Sequence, residues 1–219
     1  MPLTPTQAAS LSEAVDAYAF PPAYYDFSMN SPVMGLTMAQ VESRIRQNLL
    51  SEKGVKDGLS NVLYWGFAQM GGLAVIRADR FRSSVTQDQL ASAAQLFAVS
   101  RCPSLVSIAR LKLPQFSGVS FVSKVRMFLD PNGSATLDKQ IMKIHRLRPT
   151  TVLAAVRALK TAIPVNTSNS AAYEAWCARL AQIRRLYLPS LRVVDIERGL
   201  FHLIQSGRVQ CAADILADA

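Results

Sequence analysis

The chain has 219 residues, 50% of them hydrophobic, and its 24 Lys and Arg residues against 15 Asp and Glu residues give a formal net charge of +9. A chain of this size can bury a sizeable core, and its charge favours an anionic partner, DNA rather than a membrane, because no run of eighteen or so apolar residues occurs. Three widely spaced cysteines and two histidines argue against a disulfide framework or a metal site.

The familiar catalytic motifs are also missing. The sequence contains no GxxxxGK[ST] phosphate loop, GxGxxG, HExxH or GxSxG, which argues against the common nucleotide-binding, zinc-protease and serine-hydrolase classes. Its first ten residues lack the basic and apolar regions of a signal peptide. We therefore expect a cytoplasmic protein.

Apolar residues recur at helical spacing along nearly the whole chain, and no alternating strand hairpin stands out, so an all-α fold is predicted. Residues 1–36 are predicted to be a partly irregular arm. At Thr86, the TQDQL segment has a capping-box-like start in which Gln89 reaches back. The predicted helices cover residues 37–52, 61–69, 86–98, 103–111, 121–129, 170–188, 191–205 and 209–216, with a turn at 54–58. Residues 1–219 are expected to form a single compact all-helical unit.

Lys124 is the most informative residue, because its neighbours in SFVSKVRMFL are apolar. A charged amine is unfavourable in such surroundings unless it is partnered or partly neutral. Asp138 follows the Pro131 and Gly133 loop, where a new helix is predicted to begin. A snorkelling lysine and an ordinary N-cap aspartate are the alternative interpretation of the pair.

Ahead of Lys124, a tight connection between two helices is predicted at FSGVS. Gly118 is expected to supply a positive φ, and Ser120 is expected to cap the second helix. The unpaired amides of Ser117, Gly118, Val119 and Ser120, together with the helix dipole, suit a DNA phosphate. An ordinary corner between two helices, with no ligand, is the alternative.

The stretch from Leu111 to Ile144, with FSGVS, Lys124, DPNG and Asp138 in this order, resembles the helix-hairpin-helix DNA glycosylase superfamily, in particular its 8-oxoguanine branch. The resemblance implies two helical lobes with a cleft between them, with residues 103–148 as the hairpin and catalytic-loop region. It also implies that Lys124 is the nucleophile and Asp138 the catalytic acidic residue, with no cofactor or metal. The implied function is removal of an oxidised purine from DNA, with Schiff-base lyase activity of the lysine.

The chain departs from the family pattern in two respects. A second glycine usually stands where Ser120 is, and the usual spacing would put the lysine at position 122, which is valine here. A shift of two residues turns a side chain by about 200° around a helix. A non-catalytic DNA-binding or interaction module on the same fold, in a bacterial defence setting for example, is therefore the alternative function, and a structural helical protein is a third.

Chemistry on a base in duplex DNA requires the base to be extruded into a pocket. Candidates for this pocket are Asn61, Trp65 and Gln69, and near the other end of the chain Phe201. Core packing is the alternative for the aromatic residues.

The KIHRLR segment carries the best candidates for phosphate contacts, namely Lys143, His145, Arg146 and Arg148. A solvated charged face is the alternative. Duplex DNA, bound mainly through its phosphates, is the predicted partner, and the oligomeric state stays open.

Overall fold

A computed structural model describes residues 2–218 and confirms the all-α fold. About 62% of the chain is helical, and the described residues form eleven α-helices and one pair of very short strands. The α-helices are α1 Pro5–Asp16, α2 Met38–Leu49, α3 Val55–Gly66, α4 Leu73–Ser84, α5 Gln87–Val99, α6 Leu105–Arg110, α7 Val119–Leu129, α8 Met142–Leu147, α9 Thr167–Tyr187, α10 Val193–Gln205 and α11 Val209–Asp218. Two 3₁₀ turns cover Ala68–Met70 and Val152–Ala155. The chain divides into two compact units, one formed by Phe20–Asp130 and the other by Met1–Ala19 with Pro131–Ala219.

In the Phe20–Asp130 unit, α7 is the central helix. It packs against α2, α3 and α6, and every residue from 122 to 129 is buried. Burial on every side is typical of a helix enclosed by its neighbours, and here it includes the polar residues Ser123, Lys124 and Arg126. The position of Lys124 within this helix is therefore an interior one.

In the other unit, α10 packs against α1, α9 and α11, and α8 packs against α11. The long α9 contributes the two largest fully buried side chains, Trp176 and Tyr173. Cys177, on the same helix, is also buried.

Most predicted helices are present with shifted ends, but three expectations were wrong. Residues 25–26 and 31–32 form an antiparallel strand pair, although no hairpin was predicted. Residues 73–84 form α4, which was not predicted because its buried face uses only two alanines and one phenylalanine. The predicted turn at 54–58 is the start of α3, where a Cβ at Gly58 would lie 2.7 Å from the Leu49 nitrogen, so the glycine allows the close approach of α2 to α3.

The predicted partly irregular arm contains a regular helix. Helix α1 starts from a complete capping box, in which Thr4 accepts from the Gln7 N–H and the Gln7 side chain accepts from the Thr4 N–H. Between α1 and α2 the chain is irregular except for the short strand pair.

No helix among the described residues is both long enough and apolar enough to cross a bilayer.

Candidate functional site

Lys124 lies in the second turn of α7, and only 7% of its surface is exposed. Its Nζ donates to the carbonyl of Ser120, one turn back, at 3.2 Å, and lies 5.2 Å from the centroid of the Phe121 ring. The side chain therefore runs back toward the start of α7, the direction that helix geometry favours for long side chains. The amine is held at the same end of α7 as the predicted hairpin.

Gly66, at the end of α3, faces the stem of this lysine. A Cβ at position 66 would lie 2.5 Å from Phe121 Cε1 and 3.3 Å from Lys124 Cδ. Only a glycine leaves room for both side chains at their present positions. The path of the lysine stem is thus set by α3 as well as by its own helix.

The connection from α6 to α7 covers residues 111–118 and is stabilised from two other helices. Arg77 of α4 donates to Gln115 Oε1 at 2.8 Å, and Gln89 of α5 donates to the carbonyl of Lys112 at 2.8 Å. The positive φ angles of the connection are at Lys112 and Gln115, +51° and +68°. These side chains were not predicted to hold the hairpin, because each contact joins residues more than twenty positions apart.

Two details predicted for the hairpin were wrong. Gly118 has an extended backbone with φ of −117° and is itself the N-cap of α7. Ser120 lies inside the first turn and does not cap the helix, because α7 begins at Val119, earlier than predicted. The N-cap has no side-chain hydrogen bond, and no acidic residue stands in the first turn of this fully described helix. The first amides of α7 therefore keep the character that suits an anion.

The hairpin residues differ in exposure. Ser117 is exposed, Gly118 and Ser120 are half-buried, and the side chain of Val119 is fully buried. Val119 belongs to the core, so only its main-chain amide is relevant to a phosphate.

Asp138 lies in the other unit, on a loop that α9 and α10 hold in place. Trp176 donates its indole N–H to the carbonyl of Thr136 at 3.1 Å, and Tyr173 donates its hydroxyl to the carbonyl of Ala135 at 2.8 Å. Val194 N donates to the carbonyl of Pro131 at the start of the loop, at 3.2 Å. The chain leading to Asp138 is therefore fixed by three long-range hydrogen bonds.

The carboxylate of Asp138 accepts hydrogen bonds from the main-chain N–H of Gln140 at 2.8 Å and of Ile141 at 3.2 Å. It caps the turn before α8, whose own N-cap is Ile141, so the interpretation of Asp138 as an ordinary helix N-cap was wrong. The residue is half-buried.

Asp138 is one of several charged groups that act on the phenol of Tyr18, which belongs to the same unit. Burial raises the pKa of the Tyr18 phenol above its ordinary value, and the negative charges of Glu197 and Asp138 act in the same direction. The guanidinium carbon of Arg198 lies 5.6 Å from the centroid of the Tyr18 ring. Glu197 and Arg198 are both buried. This group was missed in the sequence, because α1 and α10 are distant along the chain and neither carries a recognisable motif.

The four residues of the basic segment KIHRLR differ in their exposure and in what they bond. Lys143 and Arg146 are exposed, and His145 is half-buried. Arg148 donates to Asp214 Oδ1 of α11 from Nε and from Nη2, at 3.1 and 2.6 Å. Lys143 and Arg146 are therefore better placed for a phosphate than Arg148.

The predicted base-pocket residues have mostly packing roles. Asn61 is fully buried and bonds both the N–H and the carbonyl of Tyr25, at 2.8 and 3.1 Å, so its amide anchors the first strand. Trp65, 4% exposed, packs against Phe20 and Phe128 with ring centroids 4.7 and 5.1 Å away. We carry neither residue forward as a reader of bases.

The other two candidates lie at the surface or against a tyrosine. Gln69 is exposed in the 3₁₀ turn after α3. Phe201 of α10 is half-buried and contacts Tyr18 edge-on, with the ring centroids 6.4 Å apart.

The predicted site residues thus fall into two groups. Lys124, the hairpin, Asn61, Trp65 and Gln69 belong to the Phe20–Asp130 unit. A second set belongs to the other unit, namely Asp138, Lys143, His145, Arg146, Arg148 and Phe201.

Comparison of the chain with protein-family models, with curated proteins and with solved structures gives no match.

Proposed function

We propose that this protein is a DNA glycosylase of helix-hairpin-helix type that removes an oxidised purine, with Lys124 as the nucleophile. The observation that carries the proposal is a buried amine next to a helix start. The Lys124 Nζ lies 3.2 Å from the Ser120 carbonyl, and Ser120 is the second residue of a helix whose first amides have no side-chain cap.

A phosphate bound at these amides would bring the neighbouring sugar of the same strand toward the lysine. Helix N-termini attract phosphate through their amides and dipole. The net charge of +9 supports an encounter with a polyanion. A single helix thus offers both a backbone contact and a nucleophile.

The reaction requires the amine in its neutral form, which burial favours over the charged form. The lysine nitrogen bonds to C1′ of the nucleotide, and the bond from C1′ to the purine breaks. The purine leaves with the bonding electrons and takes up a proton. Loss of a proton from the nitrogen and opening of the sugar ring give an imine, from which β-elimination cleaves the strand.

Asp138 has the electrostatic role in this proposal. Positive charge develops on the sugar as the purine departs, and a fixed carboxylate stabilises it. The two main-chain hydrogen bonds to the Asp138 carboxylate and the anchored loop before it support a fixed orientation. A cytoplasmic location goes with this proposal.

Borohydride trapping tests the proposal. The wild-type protein is incubated with duplexes that carry 8-oxoguanine or an abasic site, and borohydride is added to reduce the imine to a stable amine. We expect a covalent complex with the wild type, none with Lys124→Gln, and DNA binding retained in that variant. The exposed lysine variant Lys53→Gln is the matched control and should trap like the wild type. A complex that still forms with Lys124→Gln would assign the chemistry to another amine.

A second candidate is a DNA-binding module without catalysis. It is favoured by the hydrogen bond from the Lys124 Nζ to the Ser120 carbonyl, which gives the amine a structural use. This candidate predicts salt-sensitive binding to every duplex and no trapping with any lesion. The same trapping experiment therefore separates the two functions.

A further inference from the structure

A pocket of about 470 Å³ lies beside α8 in the unit that contains Pro131–Ala219. Its walls come from the residues just before α8, from α8 itself, and from the segment after the Val152–Ala155 turn. The volume falls within the range of about 300–1,000 Å³ that is usual for small-molecule sites.

The polar wall of the pocket is basic. Lys139, Arg146 and Lys160 line it together with His145, and none of its lining residues carries a carboxylate. The Lys139 ammonium donates to the main-chain carbonyl of Lys160, which joins the two sides of the rim. Three cations at one concave site, with no lining anion to neutralise them, favour an anionic ligand.

His145 also lines the pocket and is half-buried. Its Nδ1 is enclosed and has no hydrogen-bond partner within residues 2–218. Because this atom is closed to solvent, a ligand in the pocket does not reach it, and the polar contacts of the site come from the three cations.

The pocket also has apolar lining residues. Among them, Leu159 has 63% of its surface exposed, which is large for a leucine, and Val156 is buried. The Leu159 N–H donates to the carbonyl of Ala162 at 2.8 Å, so the residue belongs to a hydrogen-bonded turn. An apolar surface next to three cations fits a ligand with a flat or apolar body and a charged end.

We propose that this pocket binds one nucleoside monophosphate unit. The phosphate is held by Lys139, Arg146 and Lys160, and the base lies against Val156 and Leu159. The choice of a nucleotide over other phosphate esters rests on the proposed function. The unit is either a free nucleotide or one nucleotide of a DNA strand.

Calorimetric titration with 2′-deoxyguanosine 5′-monophosphate tests the pocket without any need for catalysis. We expect saturable binding that Lys160→Glu weakens by about tenfold or more, the loss that follows from removing one charge-assisted contact. The Lys160 side chain is exposed, and its carbonyl, which holds Lys139, is kept in the variant. Lys53→Glu, an exposed charge reversal in the other unit, should bind like the wild type.

Three further titrations define the ligand. Deoxyguanosine and inorganic phosphate should each bind at least tenfold more weakly than the nucleotide, because the first lacks the phosphate that the cations hold and the second lacks the base that the apolar residues contact. A short single strand distinguishes the sources. If the free nucleotide binds, the pocket takes free nucleotides; if only the strand binds, with the same loss in Lys160→Glu, it takes a unit of DNA.

The proposal is overturned if neither probe binds at millimolar concentration, if Lys160→Glu binds as the wild type does, or if inorganic phosphate binds as tightly as the nucleotide. Lys124→Gln should retain full nucleotide binding. A protein that binds the nucleotide but never traps DNA would overturn the glycosylase proposal alone, and one that traps DNA without binding the nucleotide would overturn the pocket alone.

Discussion

Trp176 donates its indole N–H to the main-chain oxygen of Thr136 at 3.1 Å, two residues before Asp138. Both groups are buried, so the carbonyl has no water to replace a lost donor. A residue of α9 thereby positions the loop of the proposed catalytic carboxylate.

Replacing Trp176 with phenylalanine should cost more stability than packing alone explains. The change leaves the Thr136 carbonyl buried without this donor, which costs about 1–3 kcal/mol beyond the lost volume. Trp65→Phe is the matched control, because Trp65 is also buried and its Nε1 has no hydrogen-bond partner within residues 2–218. Urea unfolding of both variants measures the difference. Equal losses would mean that the hydrogen bond to Thr136 contributes nothing net.

Asp138→Asn separates capping from catalysis. Asparagine caps a turn about as well as aspartate, so the melting temperature should stay nearly unchanged. If the negative charge stabilises the reacting sugar, single-turnover release of the base should fall by about a hundredfold or more. A fully active Asp138→Asn protein would reduce the residue to the cap of the turn into α8.

Lys124→Met tests whether the buried lysine is kept for chemistry. Methionine has a similar length and can pack beside Gly66 and Phe121, but it removes the hydrogen bond from Nζ to the Ser120 carbonyl. We expect trapping to be abolished while the fold is retained, with a loss of unfolding free energy of about 1–3 kcal/mol, larger than for the half-buried control Lys56→Met. A loss well above about 3 kcal/mol would show that the buried amine is kept for stability instead.

Salt titrations of DNA affinity should distinguish Arg146, which is exposed, from Arg148, which is bonded to Asp214. Each phosphate contact contributes about 0.9 to the slope of log K against log salt concentration. Arg146→Ala should remove about one such contact, whereas Arg148→Ala should remove less, because its guanidinium is already bonded to Asp214. Fluorescence anisotropy at several salt concentrations measures both slopes. An equal fall for the two variants would contradict the ranking.

Local patterns in the sequence predicted most of the helices, but they predicted few of the contacts that position the candidate site residues. The box of Thr86 and Gln89 starts α5 as predicted, because all of its atoms lie within four residues. Helix α1 has the same type of box at Thr4 but was assigned to a partly irregular arm, since alanines make up most of its apolar positions and give a weak helical pattern.

Long-range contacts were beyond sequence reasoning. The hydrogen bonds of Trp176 and Tyr173 to the loop before Asp138 join main-chain atoms about forty positions away. Asn61 illustrates the same difficulty, because a polar residue in an aromatic segment was interpreted as a base reader and instead bonds the backbone of Tyr25. A side chain that bonds main-chain atoms is indifferent to the identity of its partner, so no paired motif reveals it.

The capping boxes also bear on the electrostatic field of the protein. Helices α1, α2 and α5 all start with threonine and have glutamine three positions later, as Thr4 with Gln7, Thr37 with Gln40, and Thr86 with Gln89. Glutamate serves equally in this position, and three glutamates would reduce the net charge from +9 to +6. Neutral boxes stabilise the helix starts without reducing the positive charge, so they would leave undiminished the attraction for the DNA partner proposed above.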